Sequence, residues 1–182
     1  MGILILLSPF FVHRLPNQEQ GQGRQAGGDD FYVQNFDYDH WQSAGSKPIK
    51  DYTLSGKILS LENKPFGPFQ IALWKEIVLD HPRVSFYANG QTFAQLTAGQ
   101  GLPQGRERMD FINNNITFTD GPVLANVRGH VLTCSTLIWD KTSNAFKGEG
   151  HCRLQLEDKA VQAPVIIVDK DLMAWHIPAS VL

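Results

Sequence analysis

The chain has 182 residues, a formal net charge of -2 and a pI near 6.3. Its lysines and arginines do not cluster along any segment, so it lacks the basic surface by which proteins bind nucleic acid. After residue 30 about 150 residues remain, enough to bury roughly two-thirds of the surface that the unfolded chain exposes. These features predict one globular domain and exclude nucleic acid as an expected partner.

The N-terminus begins with a short apolar segment. Residues 3–12 are apolar apart from Ser8 and Pro9, yet a membrane-crossing helix needs about 20 residues. No Lys or Arg precedes the segment and no clear cleavage site follows it, so a secretory signal would be a poor one. A disordered apolar tail is the other interpretation that composition allows. Residues 15–30 are rich in Gln and Gly, as in a flexible linker.

Short strands separated by turns are predicted next. Residues 31–39 and 52–61 read as strands, whereas the apolar positions of residues 70–79 also fit one face of a helix. In the second strand, alternate residues share one face: Tyr52, Leu54, Gly56 and Ile58.

A hairpin is predicted around Asn89 and Gly90, the strongest short-range hairpin signal. It joins residues 84–88 to residues 92–96. A two-residue turn sets the register of the strands and places Phe86 opposite Phe93, as a cross-strand aromatic pair.

A second hairpin is predicted over residues 129–156, around the polar turn 140–144. The second strand alternates apolar and small residues with charged ones, and the first does so after a skip that indicates a bulge near Ser135 and Thr136. The predicted register sets four pairs opposite each other: Leu132 with Leu154, Cys134 with Cys152, Leu137 with Gly150, and Trp139 with Gly148. Residues 165–168 and 172–177 are predicted as the last strands.

The two cysteines, Cys134 and Cys152, are therefore expected to face each other. In an oxidising compartment such a pair forms a disulfide, but a directly cross-strand bridge needs particular Cβ geometry, so two buried thiols are the other interpretation. Neither cysteine has a CxxC neighbour or a nearby group of histidines, so no zinc or redox site is expected.

The hairpin also carries a resemblance. The pattern L-x-x-x-x-L-x-x-D over residues 132–140, followed by a turn and a strand of alternating small and apolar residues, resembles LptC and the LptA/OstA-like periplasmic proteins of lipopolysaccharide export. Residues 77–101 and 109–121 resemble, in the same order, the strands that precede this hairpin in LptC. The resemblance covers about residues 31–175 and rests on order and spacing, since the motifs contain no catalytic signature.

This resemblance implies an all-β fold, an open, V-shaped antiparallel β-jelly roll of the OstA-like type, over residues 31–178, preceded by the short apolar N-terminal segment. It implies that residues 1–14 are the remnant of an anchor in the inner membrane, that residues 15–30 are its linker, and that the domain is periplasmic. The implied partners are lipopolysaccharide, an inner-membrane lipopolysaccharide ABC transporter and an LptA-like periplasmic bridge protein. The protein would take the lipid from the ABC transporter and pass it to the LptA-like protein, and it would need no cofactor.

Acyl chains would lie in an apolar groove between the two sheets of such a fold. Each methylene removed from water contributes about 0.8 kcal/mol. The same apolar residues would otherwise form the core of a closed sandwich. They are Leu54, Ile58, Phe86, Phe111, Ile116, Phe118, Leu132, Leu137, Trp139, Phe146, Leu154 and Leu156.

The predicted strands at the two ends of the domain would leave unpaired edges, which are templates for strand addition. We expect the edge near residues 31–39 to meet the transporter and the edge near residues 165–175 to meet the LptA-like protein. Arg83, Arg106 and Arg108 would either contact lipid phosphates at the mouth of the groove or be solvated.

An enzyme or a carbohydrate-binding β-sandwich is the alternative class. The six histidines are scattered without HxH or HExxH spacing, and no G-x-S-x-G motif is present, so no catalytic centre is predicted and the protein is not expected to be an enzyme. Asp110 and Asp120 could still converge for glycosidic chemistry. The four tryptophans Trp41, Trp74, Trp139 and Trp175 would serve either as a sugar-stacking platform or as core residues.

Overall fold

The computed structural model describes residues 32–44, 47–66, 69–103 and 115–179. These residues form thirteen strands and no helix, which confirms the predicted all-β class. None of the described residues belongs to a helix long and apolar enough to cross a membrane. The predicted anchor (1–14) and linker (15–30) lie outside the described residues. The strands are β1 (Tyr32–Ala44), β2 (Lys47–Phe66), β3 (Phe69–Asp80), β4 (Arg83–Ala88), β5 (Gln91–Thr97), β6 (Gln100–Pro103), β7 (Ile116–Thr119), β8 (Val123–Asn126), β9 (Val131–Thr133), β10 (Thr136–Asp140), β11 (Ala145–Gln155), β12 (Ala160–Asp169) and β13 (Trp175–His176).

The strands form one antiparallel meander that is folded along a crease, consistent with a β-jelly roll. β3 and β4 both pair with β2, the former with residues 58–66 and the latter with residues 52–55. Likewise β10 pairs with residues 145–149 of β11, and β9 pairs with residues 153–155. Each long path of the meander is therefore divided, with one half in each of two layers.

The first layer contains β4, β5, β8 and β9, hydrogen-bonded in that order, and the second contains β3, β6, β7 and β10. The two layers join at β2 and again at β11, which belong to both. β1 pairs with β2 and β12 pairs with β11, so these strands flank the meander at its two ends.

The crease follows the points where the strand paths are interrupted. Backbone hydrogen bonds continue across it, from His81 N to the Gly99 carbonyl (2.8 Å) and from Ser135 N to the Gly150 carbonyl (2.7 Å). Residues with a positive φ turn the chain there, as bulges do in bent strands. They are Asn35, His81, Asp120, Gly121, Gly150 and His151.

The two layers face each other across an apolar core. Phe86 of β4 meets Trp139 of β10 with ring centroids 5.1 Å apart, although these strands are not neighbours in the sheet. Both side chains are buried, as are most inward residues of both layers. The core therefore lies between the layers, on the inner side of the crease.

The first predicted hairpin is confirmed, with a shift of one residue in its register. Asn89 and Gly90 have φ values of 52° and 77°, as a two-residue turn with two left-handed positions requires. A bulge between Phe86 and Tyr87 places Phe86 opposite Ala94, so the predicted pairing with Phe93 is wrong. The two rings still lie 6.3 Å apart, because Phe93 is adjacent to that position.

In the second hairpin, the pairing of Leu132 with Leu154 is confirmed. The predicted partners of Leu137 and Trp139 are wrong, because these residues pair with Gly148 and Phe146 instead. The path does break between β9 and β10 at residues 134–135, as predicted. The extra residue, however, lies in β11 at residues 150–151, where both φ values are positive.

The remaining strand predictions hold with changes of length. β1 extends five residues beyond the predicted 31–39, and residues 70–79 are strand throughout. Ile166 and Val168 are buried, whereas Val165 and Ile167 are half-buried, so β12 is covered more fully on one side. Of residues 172–177 only β13 is strand.

Candidate functional site

The predicted groove residues come together between the two layers. Nine of the twelve are buried members of one apolar cluster, and Leu156 is half-buried against it. The structure thus places on one interior surface the residues that alternation assigned to the inner faces. The nine are Leu54, Phe86, Ile116, Phe118, Leu132, Leu137, Trp139, Phe146 and Leu154.

One predicted groove residue within the described ranges is not in this cluster. Ile58 is half-buried, and its neighbour Leu59 packs against the core in its place. The inner face of β2 therefore changes parity at the crease, where Gly56 lies beneath the ring of Phe36. Phe111 lies outside the described residues.

An aromatic group occupies the centre of the interior. Trp139 stacks on Phe146 with centroids 5.8 Å apart and meets Tyr52 edge-on at 4.9 Å. Edge-to-face and offset pairs of this kind are the favoured aromatic geometries. Trp139 Nε1 is buried without a hydrogen-bond partner among the described residues. Since an unpaired buried donor is costly, this N–H can serve an acceptor atom that enters the interior.

The side of the fold away from the crease, where the hairpin turns of the two layers meet, is here named the mouth. Lys141, in the turn after β10, lies over the rings of Tyr52 (5.4 Å) and Trp139 (5.0 Å). Its Nζ donates to the Tyr52 hydroxyl at 3.3 Å. Burial lowers the pKa of Lys141 from 10.5 to about 8 and raises the pKa of Tyr52. A cation thus stands at the boundary between the apolar interior and water.

A second charged group lies at the mouth. Lys170, just after β12, contacts the carboxylate of Asp51 with Nζ to Oδ1 at 3.0 Å. His40 stacks on Tyr52 with centroids 4.6 Å apart, and its Nδ1 lies 3.7 Å from Asp51 Oδ2. Burial is the main cause of the lowered pKa of His40, so its neutral form predominates at neutral pH.

Of the three arginines predicted for the groove mouth, the described residues include only Arg83, which does not lie there. Arg83 is exposed at the start of β4, beside the crease and on the opposite side from the mouth. Arg106 and Arg108 lie outside the described residues. Cations that the described residues do place at the mouth include Lys141 and Lys170.

Cys134 and Cys152 face each other as predicted, with both sulfurs against Gly148, and both are buried free thiols. Burial raises the pKa of Cys134, so the neutral thiol is favoured. Among the described residues no three His, Cys, Asp or Glu side chains form a metal-ligand group.

The alternative class, an enzyme or a carbohydrate-binding sandwich, rests on a predicted pair of carboxylates and on the tryptophans. Asp110 lies outside the described residues, so its convergence with Asp120 stays a prediction. Trp139 is buried and Trp175 is half-buried against the core, whereas Trp41 is 53% exposed on β1. The side chain of Trp74 lies outside the described part of the structure, and the other three tryptophans do not form one exposed platform.

Sequence reasoning missed the residues at the mouth. The sequence pattern assigned Tyr52 to the apolar face of a strand. The segment that contains Lys141 was interpreted only as a turn, so the contact between the two residues was not predicted. The mouth joins residues far apart in the chain, since Lys170 and Asp51 are separated by 119 positions. No local pattern indicates such a contact.

We expect the charge of Lys141 to make stability depend on pH. Between pH 8 and 10.5 the unfolded chain binds this proton more tightly than the folded chain does, so the unfolding free energy should rise with pH in this window and be flat below it. Urea unfolding of the wild type, compared with Lys141→Met and Lys141→Arg at each pH, isolates the effect. Neither variant titrates at this position in the window. If the unfolding free energy of the wild type, relative to that of the variants, falls with pH in this window, the pKa of Lys141 is not lowered in the folded protein.

Comparison with models of protein families and with curated proteins finds no match to this chain.

Proposed function

We propose that this protein is a lipopolysaccharide-binding component of the lipid export bridge between the inner and outer membranes. It takes lipid from an inner-membrane ABC transporter and passes it to an LptA-like periplasmic protein. The proposed location is the periplasm, with the N-terminal segment as an anchor in the inner membrane. The protein acts by binding, and its chemistry is apolar burial.

One observation supports this proposal above the others: two β-layers, joined along a crease, face each other across a single apolar interior. An interior of this kind holds acyl chains when the layers separate, with about 0.8 kcal/mol for each buried methylene. The lysines at the mouth are placed for the phosphate groups of such a lipid, because they stand where the apolar surface ends. The interior and the mouth together suit an amphiphile with an anionic head group.

The flanking strands support the proposed partners. Among the described residues β1 pairs with β2 alone and residues 160–165 of β12 pair with β11 alone. β13 covers residues 167–168, so the free C-terminal edge lies earlier in the chain than the predicted 165–175. Tyr32 and Trp41, on β1, are more than half exposed. Unpaired edges of this length favour strand addition, so the transporter would meet β1 and the LptA-like protein would meet β12.

Retention of lipid by the immobilised protein tests the proposal. We expect it to retain lipopolysaccharide from a detergent-free suspension, and we expect lipid A to compete with retention while the delipidated polysaccharide does not. Competition by the polysaccharide alone would overturn the proposal and favour a carbohydrate-binding sandwich. An unfolded sample of the same protein, heated and reduced, controls for nonspecific adsorption.

A further inference from the structure

Residues 170–174, here named the strap, join β12 to β13 and cross the mouth. β13 contains two residues and pairs only with residues 167–168 of β12 among the described residues. Within the strap the carboxylate of Asp169 accepts hydrogen bonds from Met173 N (2.9 Å) and Ala174 N (3.1 Å). The strap is therefore a tight loop of the second layer with a short strand behind it.

The strap is fastened to the first layer by a few polar contacts at the mouth, one of them from the buried His130, whose Nδ1 lies 3.4 Å from the Leu172 carbonyl oxygen. Asn126 Nδ2 donates to the Asp171 carbonyl at 2.6 Å, while its Oδ1 accepts from His130 N within the turn after β8. Lys170 contacts Asp51, and Arg128 Nη1 lies 3.5 Å from Met173 Sδ. A segment that is held by few contacts and is followed by a strand of only two residues is of the kind that opens locally.

Leu172 is the part of the strap that enters the interior. It is 0% exposed and belongs to the apolar cluster, whereas Met173 beside it is 47% exposed. Its φ is 60°, a conformation that is strained for a residue with a branched side chain. A strained backbone is thus maintained at the point where one aliphatic side chain fills the edge of the core.

We infer that Leu172 is a plug at the entrance of the interior, and that one alkyl chain of an anionic amphiphile displaces it. An alkyl chain replaces the aliphatic contacts of Leu172, and displacement relieves the strained backbone. Lys170 and Arg128 lie on either side of this position and meet the anionic head group. This inference rests on the proposed function and adds the route by which a chain reaches the interior.

A strap that is covalently held should exclude the chain. In the double variant Arg128→Cys, Met173→Cys, both new thiols are on the surface, and a short bismaleimide joins them across the mouth. The probe is cis-parinaric acid, a fatty acid that becomes fluorescent in an apolar environment. We expect crosslinking to weaken its binding at least several-fold relative to the same variant before crosslinking. Each single variant, treated with the reagent, controls for reaction at the two native cysteines.

The variant Leu172→Ala supplies an independent measurement, because it removes the plug and keeps the strap. We expect it to bind the probe faster than the wild type, with circular dichroism confirming that it is folded. Equal binding by the crosslinked and free forms would overturn the plug and leave the proposed function intact. No binding by any form, the wild type included, would overturn both.

Discussion

Replacing Trp139 by alanine should lower the unfolding free energy by about 3–5 kcal/mol, as is typical when a large buried aromatic side chain is removed. Trp139 is 2% exposed and touches three other rings, from β2, β4 and β11. Because Trp139 lies in β10 of the second layer and Phe86 in β4 of the first, the loss includes a contact that holds the layers together. Urea unfolding followed by circular dichroism measures the change.

Trp41→Ala is the matched control, since Trp41 is 53% exposed on β1 and its removal should cost about 1 kcal/mol or less. The comparison also tests the packing between the layers. If Trp139→Ala costs no more than the control, Trp139 does not lie between packed layers in solution, and the interior described above is wrong.

Gly148→Ala should lower the unfolding free energy by about 1–3 kcal/mol, the usual cost of adding atoms to a packed core. A Cβ at this position would overlap the sulfur of Cys134 and lie 3.0 Å from that of Cys152. Both sulfurs belong to buried side chains beside the crease, so neither has free space to move into. The small residue at position 148 is therefore required by the two cysteine side chains that pack against it.

Cys134→Ala should relieve this overlap, because it removes the sulfur and keeps its Cβ. A double-mutant cycle of Gly148→Ala and Cys134→Ala measures the coupling, and contacting residues give about 0.5–3 kcal/mol. We expect the double variant to be more stable than the sum of the single changes predicts. Additive effects would mean that residue 148 and the cysteines are not in contact.

The sequence predicted the strands and their inner faces well, for a local reason. Alternation assigned Leu132, Leu154 and Phe146 to one face, and the Asn-Gly turn located the first hairpin, because side-chain direction and turn conformation depend on near neighbours. The same alternation assigned Trp139 and Phe146, which form the aromatic group at the centre of the interior, to inner faces. Packing then brought those faces together.

The register beyond each bulge was not predictable in this way. His151 and Asn35 adopt a positive φ at the crease, although only glycine adopts such a conformation without strain. A bulge at such a residue leaves no mark in the sequence, so the extra residue of the second hairpin was assigned to the wrong strand. The contacts of the mouth were missed because they join distant turns whose composition indicated only a loop.

The central claim is that acyl chains of lipopolysaccharide lie between the two layers, and site-specific photocrosslinking tests it most directly. The photoreactive p-benzoylphenylalanine replaces Phe93 or Leu156, both half-buried against the core, and Lys147 on the outer face of β11 serves as control. Half-buried positions are chosen so that the probe leaves the centre of the core intact. Crosslinks to lipopolysaccharide from the two inner positions and none from Lys147 are the predicted result. Crosslinks from none of the three, in folded protein, would contradict the claim and identify the interior as a sealed core.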